Sequence, residues 1–140
     1  MVRLKLDQDI LGISSLLERL TGVPVKDCFK EEDTIYIVVP PGNLGKAVGK
    51  NGIVIKKIQH NLRKNIRVIE YRDNVADFVG NIIYPIQVER IIEEENAVII
   101  KDSNRSVKSQ IIGREGKNLN IIKRAVQRFF PNKEVRVEQN

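Results

Sequence analysis

The sequence contains few cysteines and few aromatic residues. Its 140 residues include one cysteine, Cys28, no tryptophan, and only 5% aromatic side chains. One cysteine excludes an internal disulfide and any metal site built from several thiolates, and it is typical of a reducing compartment. No uninterrupted apolar run reaches the roughly 18 residues that a membrane-spanning helix needs. We therefore expect a soluble, cytoplasmic protein with no membrane partner.

The sequence also lacks the common motifs of nucleotide-binding enzymes. The stretch 42–52 is rich in glycine, but Gly45 and Gly49 have only three residues between them, whereas the phosphate-binding Walker pattern requires four. The dinucleotide pattern G-x-G-x-x-G is absent. Cys28 and His60 are single copies, which we interpret as a strand residue near the core and a surface helix residue. We expect no catalytic residues, no metal, no cofactor and no small-molecule substrate.

Acidic residues are missing from one region, and basic residues are concentrated there and near the C-terminus. Residues 43–67 hold seven lysines and arginines and no acid, and residues 104–140 hold nine basic residues against three acidic ones. Together the two regions carry +13, so the rest of the chain carries −7 at a net charge of +6. Basic charge in separate regions is typical of a protein that binds a polyanion.

Each basic region contains a pair of glycines in the same arrangement. The stretch AVGKNGIVIKKI, residues 47–58, has Gly49 and Gly52, and IIGREGKNLNII, residues 111–122, has Gly113 and Gly116, 64 positions later. The apolar stripes that follow have the same offset, since Ile55, Ile58 and Leu62 correspond to Leu119, Ile122 and Val126. This correspondence predicts an internal duplication.

Hydrophobic periodicity and turn residues predict the same order of elements in both halves. In the first half we expect a helix over 9–20 with the apolar stripe Ile10, Ile13, Leu17 and Leu20. We then expect strands over 25–30 and 34–39, a short helix over 44–48, a helix over 53–63 and a strand over 65–71. In the second half we expect a helix over 75–82, strands over 84–92 and 96–101, helices over 103–112 and 117–129, and a strand over 134–139. The predicted fold class is α+β, with two consecutive α-β-β-α-α-β units, 1–73 and 74–140, each a three-stranded sheet packed against helices.

A glycine pair between two helices suits the binding of a sugar-phosphate backbone. Glycine adopts backbone conformations that other residues avoid, and without a side chain it lets another backbone approach. The N–H groups at the start of the following helix attract phosphate oxygens, and Lys50 and Arg114 add charge within the loops. Glu115 stands where the first loop has Asn51, so we expect the two loops to differ in strength or preference.

The elements VGKNG and IGREG, each followed by an Ile- and Leu-striped helix in α-β-β-α-α-β order, resemble the KH domain of the prokaryotic type, type II. Two such units in succession resemble the KH pair of the NusA-like transcription factors of archaea. The resemblance implies binding of single-stranded RNA, since KH loops of the form GxxG clamp the RNA backbone. It implies a role in transcription termination or elongation. Bacterial NusA also has a polymerase-binding domain and an S1 domain, to which no stretch here corresponds, so RNA polymerase is only a further candidate partner.

The resemblance assigns roles to individual residues of this chain. The implied RNA-binding residues are Gly49, Lys50, Asn51, Gly52, Lys56, Lys57, Gly113, Arg114, Glu115, Gly116, Lys117, Lys123 and Arg124. The implied apolar groove residues are Val48, Ile55, Ile112 and Leu119. Three other functions remain as alternatives: a KH protein of ribosome assembly or RNA processing, a helix-turn-helix protein that binds duplex DNA, and a nucleotide-binding enzyme.

Overall fold

The computed structural model of the protein describes the backbone of residues 2–140 and the side chains of residues 12–140. The chain divides into two compact units, Met1–Tyr71 and Arg72–Asn140. The fold is a mixed α+β fold in which each unit has its own three-stranded sheet.

Both units have the same succession of elements. The first unit contains α1 (Val2–Thr21), β1 (Asp27–Glu31), β2 (Thr34–Val39), α2 (Leu44–Val48), a single 3-10 turn (Lys50–Gly52), α3 (Ile53–Leu62) and β3 (Asn65–Glu70). The second contains α4 (Val75–Ile83), β4 (Arg90–Glu94), β5 (Ala97–Lys101), α5 (Arg105–Ile112), a 3-10 turn (Arg114–Gly116), α6 (Lys117–Phe129) and β6 (Glu134–Glu138).

The two sheets share one topology, with the second strand of each unit in the centre. In the first sheet β1 and β2 are antiparallel, and β2 and β3 are parallel with Thr34 opposite Asn65. The second sheet repeats this arrangement, with Ala97 opposite Glu134 in the parallel pair. Parallel strands need a crossover connection. In both units the two glycines therefore lie in the crossover, between its two helices.

The core of the first unit fixes the helices on either side of the first glycine pair. Ala47 of α2 and Ile58 of α3 are fully buried, and they pack in one cluster with Ile37 of β2. The strand β2 has the sequence TIYIVV, whose β-branched and aromatic residues suit the centre of a sheet. Because α2 and α3 are both anchored to this core, the residues between them are held in place while their side chains point outward.

The second unit buries the same positions of its crossover helices. Ile111 of α5 and Ile122 of α6 are 1% and 3% exposed. The ring of Phe78 on α4 contacts Phe129 edge-on at 5.5 Å between centroids, and Phe130 at 5.9 Å. Asn104 caps helix α5, and its side-chain oxygen accepts hydrogen bonds from the N–H groups of Ser106 and Val107.

Some predicted positions are wrong. Helix α1 is longer than predicted and begins at Val2, and the side chain of Ile10 lies outside the described residues. The predicted apolar stripes included Leu20 and Leu62, but these side chains are 48% and 38% exposed. Both lie in the last turn of a helix.

The predicted strand over 84–92 forms only from Arg90 onward. The N–H of Tyr84 donates to the carbonyl of Gly80 at the end of α4, at 3.1 Å. The N–H of Glu89 donates to the Asp102 carboxylate at 3.0 Å. Asp102 itself is 4% exposed, and its other oxygen accepts from the N–H of Asn104 at 2.8 Å. Residues 84–89 are therefore held by a helix end and by a buried carboxylate, and they do not pair with β5.

Glu89 is predicted to remain ionised far into the acid range. Its carboxylate accepts hydrogen bonds from the Ser103 hydroxyl, from the Ser103 N–H at 2.6 Å and from the Asn140 side chain at 3.1 Å. These bonds, the Ser103 hydroxyl above all, lower the pKa of Glu89 from 4.5 to about 2. Because the folded-state pKa lies below the unfolded value, the stabilisation is complete above pH 4.5 and is lost as the pH falls towards 2. A carboxyl ¹³C NMR titration measures the midpoint, and Ser103→Ala should raise it. A wild-type midpoint near the ordinary glutamate value would contradict this prediction.

Candidate nucleic-acid interface

The first glycine of each loop has a backbone conformation that only glycine adopts readily. Gly49 has φ 83° and ψ 167°, and Gly113 has φ 76° and ψ 173°. Left-handed φ with extended ψ is essentially restricted to glycine, because a Cβ atom would collide with the backbone. The two loops therefore begin with the same sharp turn out of a helix.

The last two positions of each loop also match between the units. Asn51 and Glu115 have φ 56° and 58°, both with ψ 25°. Gly52 and Gly116 follow with φ 73° and 75°. Asparagine tolerates the left-handed region better than glutamate does. The two loops therefore have one backbone geometry, which the second maintains with a less suitable residue.

The space beside each first glycine is occupied by a side chain from the following helix. A Cβ atom placed on Gly49 would lie 2.7 Å from a methyl group of Val54. A Cβ atom on Gly113 would lie 2.7 Å from the side-chain amide of Asn118, whose nitrogen donates to the carbonyl of Gln110 at 2.9 Å. Val54 and Asn118 are equivalent residues, 64 positions apart. The glycine is thus required for close packing as well as for its φ angle.

The loops already use the first N–H groups near the start of the following helix. The N–H of Gly52 donates to the carbonyl of Gly49 at 3.0 Å, and the N–H of Ile53 donates to the carbonyl of Lys50. The sequence predicts that N–H groups at the start of the following helix attract phosphate oxygens. The N–H of Ile53, the first residue of α3, is already paired with the carbonyl of Lys50, so for this donor the expectation is wrong.

The surface of the first loop carries basic side chains and one apolar side chain. Lys50 and Asn51 are exposed, as the sequence predicts for residues that contact a ligand. Lys56 extends back towards the loop, since its Cε lies 3.6 Å from the place of a Cβ on Gly52. Ile53, the first residue of α3, is 63% exposed and was not among the predicted site residues.

The second loop has a different set of side chains on the same backbone. Arg114 and Glu115 are both exposed, and because their charges are opposite the loop itself carries no net charge. Lys117 occupies the position of Ile53, and Asn120 occupies that of Lys56. Positive charge is therefore lower at the second loop than at the first.

Beside each loop helix the structure has an open groove near the start of the third strand. The groove of the first unit has a volume of about 640 Å³, and its basic lining residues are Lys56, His60, Arg63 and Lys64. Asp33 contributes one acidic group to this lining. The lysines and the arginine of this groove belong to the basic region 43–67, but the sequence does not show that they line one groove.

The groove of the second unit is smaller and less basic, at about 320 Å³. Its basic residues are Lys123 and Lys133. Lys133 forms an ion pair with Glu93 at 3.0 Å and donates to the carbonyls of Glu94 and Glu95. Lys133 therefore holds the β4–β5 turn, and Lys123 is the exposed lysine of this groove.

Other predicted site residues lie on the loop helices or within the core. Lys57 is exposed on α3, while Arg124 on α6 is half-buried. Among the predicted groove residues, Val48, Ile112 and Leu119 are half-buried, but Ile55 is 8% exposed and packs in the core of the first unit. Ile55 therefore offers little surface to a ligand.

The residues that the sequence analysis missed had a detectable signal. Ile53 lies off the stripe formed by Ile55 and Ile58, so the helical period alone predicts that it faces solvent. Arg67, by contrast, was counted with the basic region but belongs to the sheet, opposite Tyr36. Burial lowers the pKa of its guanidinium. Only the exposed members of the charged region can contact a polyanion.

The described residues show neither a membrane-spanning helix nor a metal site. No helix among them has both the length and the apolar composition to cross a bilayer. Within the same residues, no three His, Cys, Asp or Glu side chains are grouped so that they could hold a metal ion.

The sequence pattern of the KH domain family matches residues 13–89, which is more than half of the chain. The solved structure of APE1850 has 28% sequence identity and superposes with a TM-score of 0.73, covering 94% of this chain and 99% of that one. The chain belongs to the KH domain family. This membership supports an RNA-binding role, which is the common function of KH domains.

Three archaeal relatives have the name "Probable transcription termination protein NusA". The relative from Methanococcus vannielii is 34% identical, over 84% of this chain and 70% of that protein. The relative from Halococcus morrhuae is 28% identical, covering 92% and 94%. The relative from Thermoplasma acidophilum is 26% identical, covering 99% of each. The protein is thus a NusA-like KH protein.

The two glycines of the first loop are predicted to tolerate alanine unequally. Gly49→Ala combines a disfavoured conformation with a 2.7 Å contact to Val54, so we expect it to lower the free energy of unfolding by about 2–5 kcal/mol. Gly52→Ala meets only the flexible end of Lys56, so we expect a loss of about 1–2 kcal/mol, from its φ angle alone. Urea unfolding of both variants measures the difference. Equal losses would show that Val54 does not restrict the loop.

Proposed function

We propose that the protein binds single-stranded RNA through its two GxxG loops and acts in transcription termination or elongation. The two domains predicted from the sequence, residues 1–73 and 74–140, would be type II KH domains. The observation that supports this most strongly is the shared backbone of the loops, in which Gly49 and Gly113 have φ and ψ within about ten degrees of each other. A duplicated strained turn between two anchored helices indicates a selected binding device.

The loops would bind the RNA backbone rather than the base edges. Glycines at both ends expose main chain that a sugar-phosphate strand can approach closely. Lys50 and Arg114 are exposed between the glycines and can donate charge-assisted hydrogen bonds to phosphate oxygens. Lys56, which lies back over the first loop, would reach the neighbouring phosphate.

The remaining predicted residues would flank these contacts. Lys57, Lys117 and Lys123 are exposed along the two loop helices, and we assign them to phosphates outside the loops. Arg124 is half-buried and would contribute less. The half-buried side chains of Val48, Ile112 and Leu119 would provide apolar surface beside the bound strand.

The place of the protein in the cell is proposed from its relatives. Their name, probable transcription termination protein NusA, favours nascent RNA as the ligand and the cytoplasm as the location. RNA polymerase would be a second partner. A KH protein of ribosome assembly or RNA processing would use the same loops, and recovery of RNA polymerase with the tagged protein distinguishes the two roles.

Charge reversal in the first loop should weaken RNA binding without unfolding the protein. The double variant Lys50→Asp, Asn51→Asp places two acids where phosphate would bind, and we expect the dissociation constant for a single-stranded RNA to rise about tenfold or more. Both side chains are exposed, so the urea midpoint should change little. Fluorescence anisotropy with a labelled oligonucleotide measures the affinity.

A matched control makes the same change of net charge elsewhere. Arg90 and Gln87 are exposed and lie outside both loops and both grooves, so Arg90→Asp, Gln87→Asp should weaken binding far less. Equal loss in the two double variants would show that only net charge matters. Equal competition by duplex DNA and by single-stranded RNA would favour the helix-turn-helix alternative instead.

Binding should weaken steeply as the salt concentration rises. Each phosphate that a lysine or arginine neutralises adds roughly 0.7 to the slope of log affinity against log salt for a single strand. Lys50→Gln should therefore reduce the slope by about 0.7, while Arg90→Gln should leave it unchanged. Titrations at several potassium chloride concentrations measure the slope. A flat wild-type response would indicate that the ligand of this surface is not a polyanion.

A further inference from the structure

The first loop is followed by an isoleucine that faces solvent. Ile53 is 63% exposed, and in the sequence it lies between the basic residues Lys50 and Lys56. Its methyl carbon Cγ2 would be 3.2 Å from a Cβ atom on Gly49, so the side chain leans over the start of the loop. The loop surface thus combines an exposed main chain, positive charge and one apolar group.

The Cγ2 methyl of Ile53 lies close to Gly49, but the helix itself does not require an apolar residue at this position. A β-branched residue is a moderate helix former, and the first turn of a helix has no need of an apolar side chain. The equivalent residue of the second unit, Lys117, is charged and starts an otherwise similar helix. Single exposed apolar residues are common on proteins. The position of Ile53, inside a region of 25 residues without an acid, distinguishes it from those.

We propose that Ile53 packs against the face of a nucleobase in the strand that the first loop holds. This proposal rests on the proposed RNA binding. Isoleucine has neither charge nor donor for a phosphate, so it can gain only by removing apolar surface from water. The faces of unpaired bases are the main flat, weakly hydrated surfaces that a single strand offers, and they are covered in a duplex.

The second loop would lack this contact. Lys117 places a cation where the first unit has the apolar side chain of Ile53. The side chain of Asn118 lies beside Gly113 and donates a hydrogen bond to the carbonyl of Gln110. Next to the second glycine pair, Lys117 would therefore contact sugar and phosphate, whereas Ile53 next to the first pair would contact a base. Preference for an unpaired base would then arise mainly at the first loop.

The test compares Ile53→Ser with Leu62→Ser on the same helix. Leu62 is also exposed, at 38%, but lies at the far end of α3. We expect Ile53→Ser to weaken binding of a single-stranded RNA about threefold to tenfold with no change in salt slope, because apolar contact and not charge is lost. We expect Leu62→Ser and Ile53→Leu to bind like the wild type. Urea midpoints confirm that each variant is folded.

An RNA series with one abasic nucleotide moved along the strand locates the base. At one position the abasic RNA should bind the wild type as weakly as Ile53→Ser binds the intact RNA, and combining the two changes should cost no more than either alone. Unchanged affinity in Ile53→Ser, with clear loss in Lys50→Asp, Asn51→Asp, would overturn the base contact and leave RNA binding intact. The base contact would also be overturned if Ile53→Ser bound RNA with normal affinity but lost a protein partner such as RNA polymerase. If the wild type binds no RNA, the proposed function itself fails.

Discussion

The conformation of one glycine in each unit determines the geometry of the candidate site. Gly49 and Gly113 have left-handed φ with extended ψ, and the following helix places Val54 or Asn118 where a Cβ atom would be. The close approach of Val54 or Asn118 to the glycine fixes the direction of the following helix. In the first unit Ile55, one residue further, is already part of the core. In the first unit the seven residues 49–55 therefore connect the conformation of the loop to the helix and the core.

The order of the elements could be predicted because local signals determine it. Strand β2 and helix α6 have the predicted bounds, since one consists of β-branched and aromatic residues and the other has a regular apolar period after a glycine. The stretch 84–89 looked like a strand by the same rules. Its backbone N–H groups are instead engaged by Gly80 and by the side chain of Asp102, a partner that no local pattern reveals.

The candidate site was predictable in its backbone and less so in its side chains. Two glycines three apart in basic regions indicated both loops, but a charge count treats every lysine and arginine alike. In the structure Arg67 is in the sheet and Lys133 is bound to acidic and carbonyl groups, while Lys50 and Lys56 face the loop. Whether a cation is available depends on the face of its helix or strand and on partners distant in sequence.

The two loops show that backbone geometry and surface chemistry are constrained separately. Glu115 adopts the same left-handed conformation as Asn51, at a conformational cost of about 1 kcal/mol or more, and it also cancels the charge of Arg114. A loop under selection only for phosphate binding gains nothing from that residue. The shared backbone also serves helix packing, through the close approach of Val54 or Asn118 to the first glycine, while the exposed side chains of the two loops differ. The stronger positive charge, the larger basic groove and the exposed isoleucine all belong to the first unit, so under the proposed function the first unit would be the principal binding half.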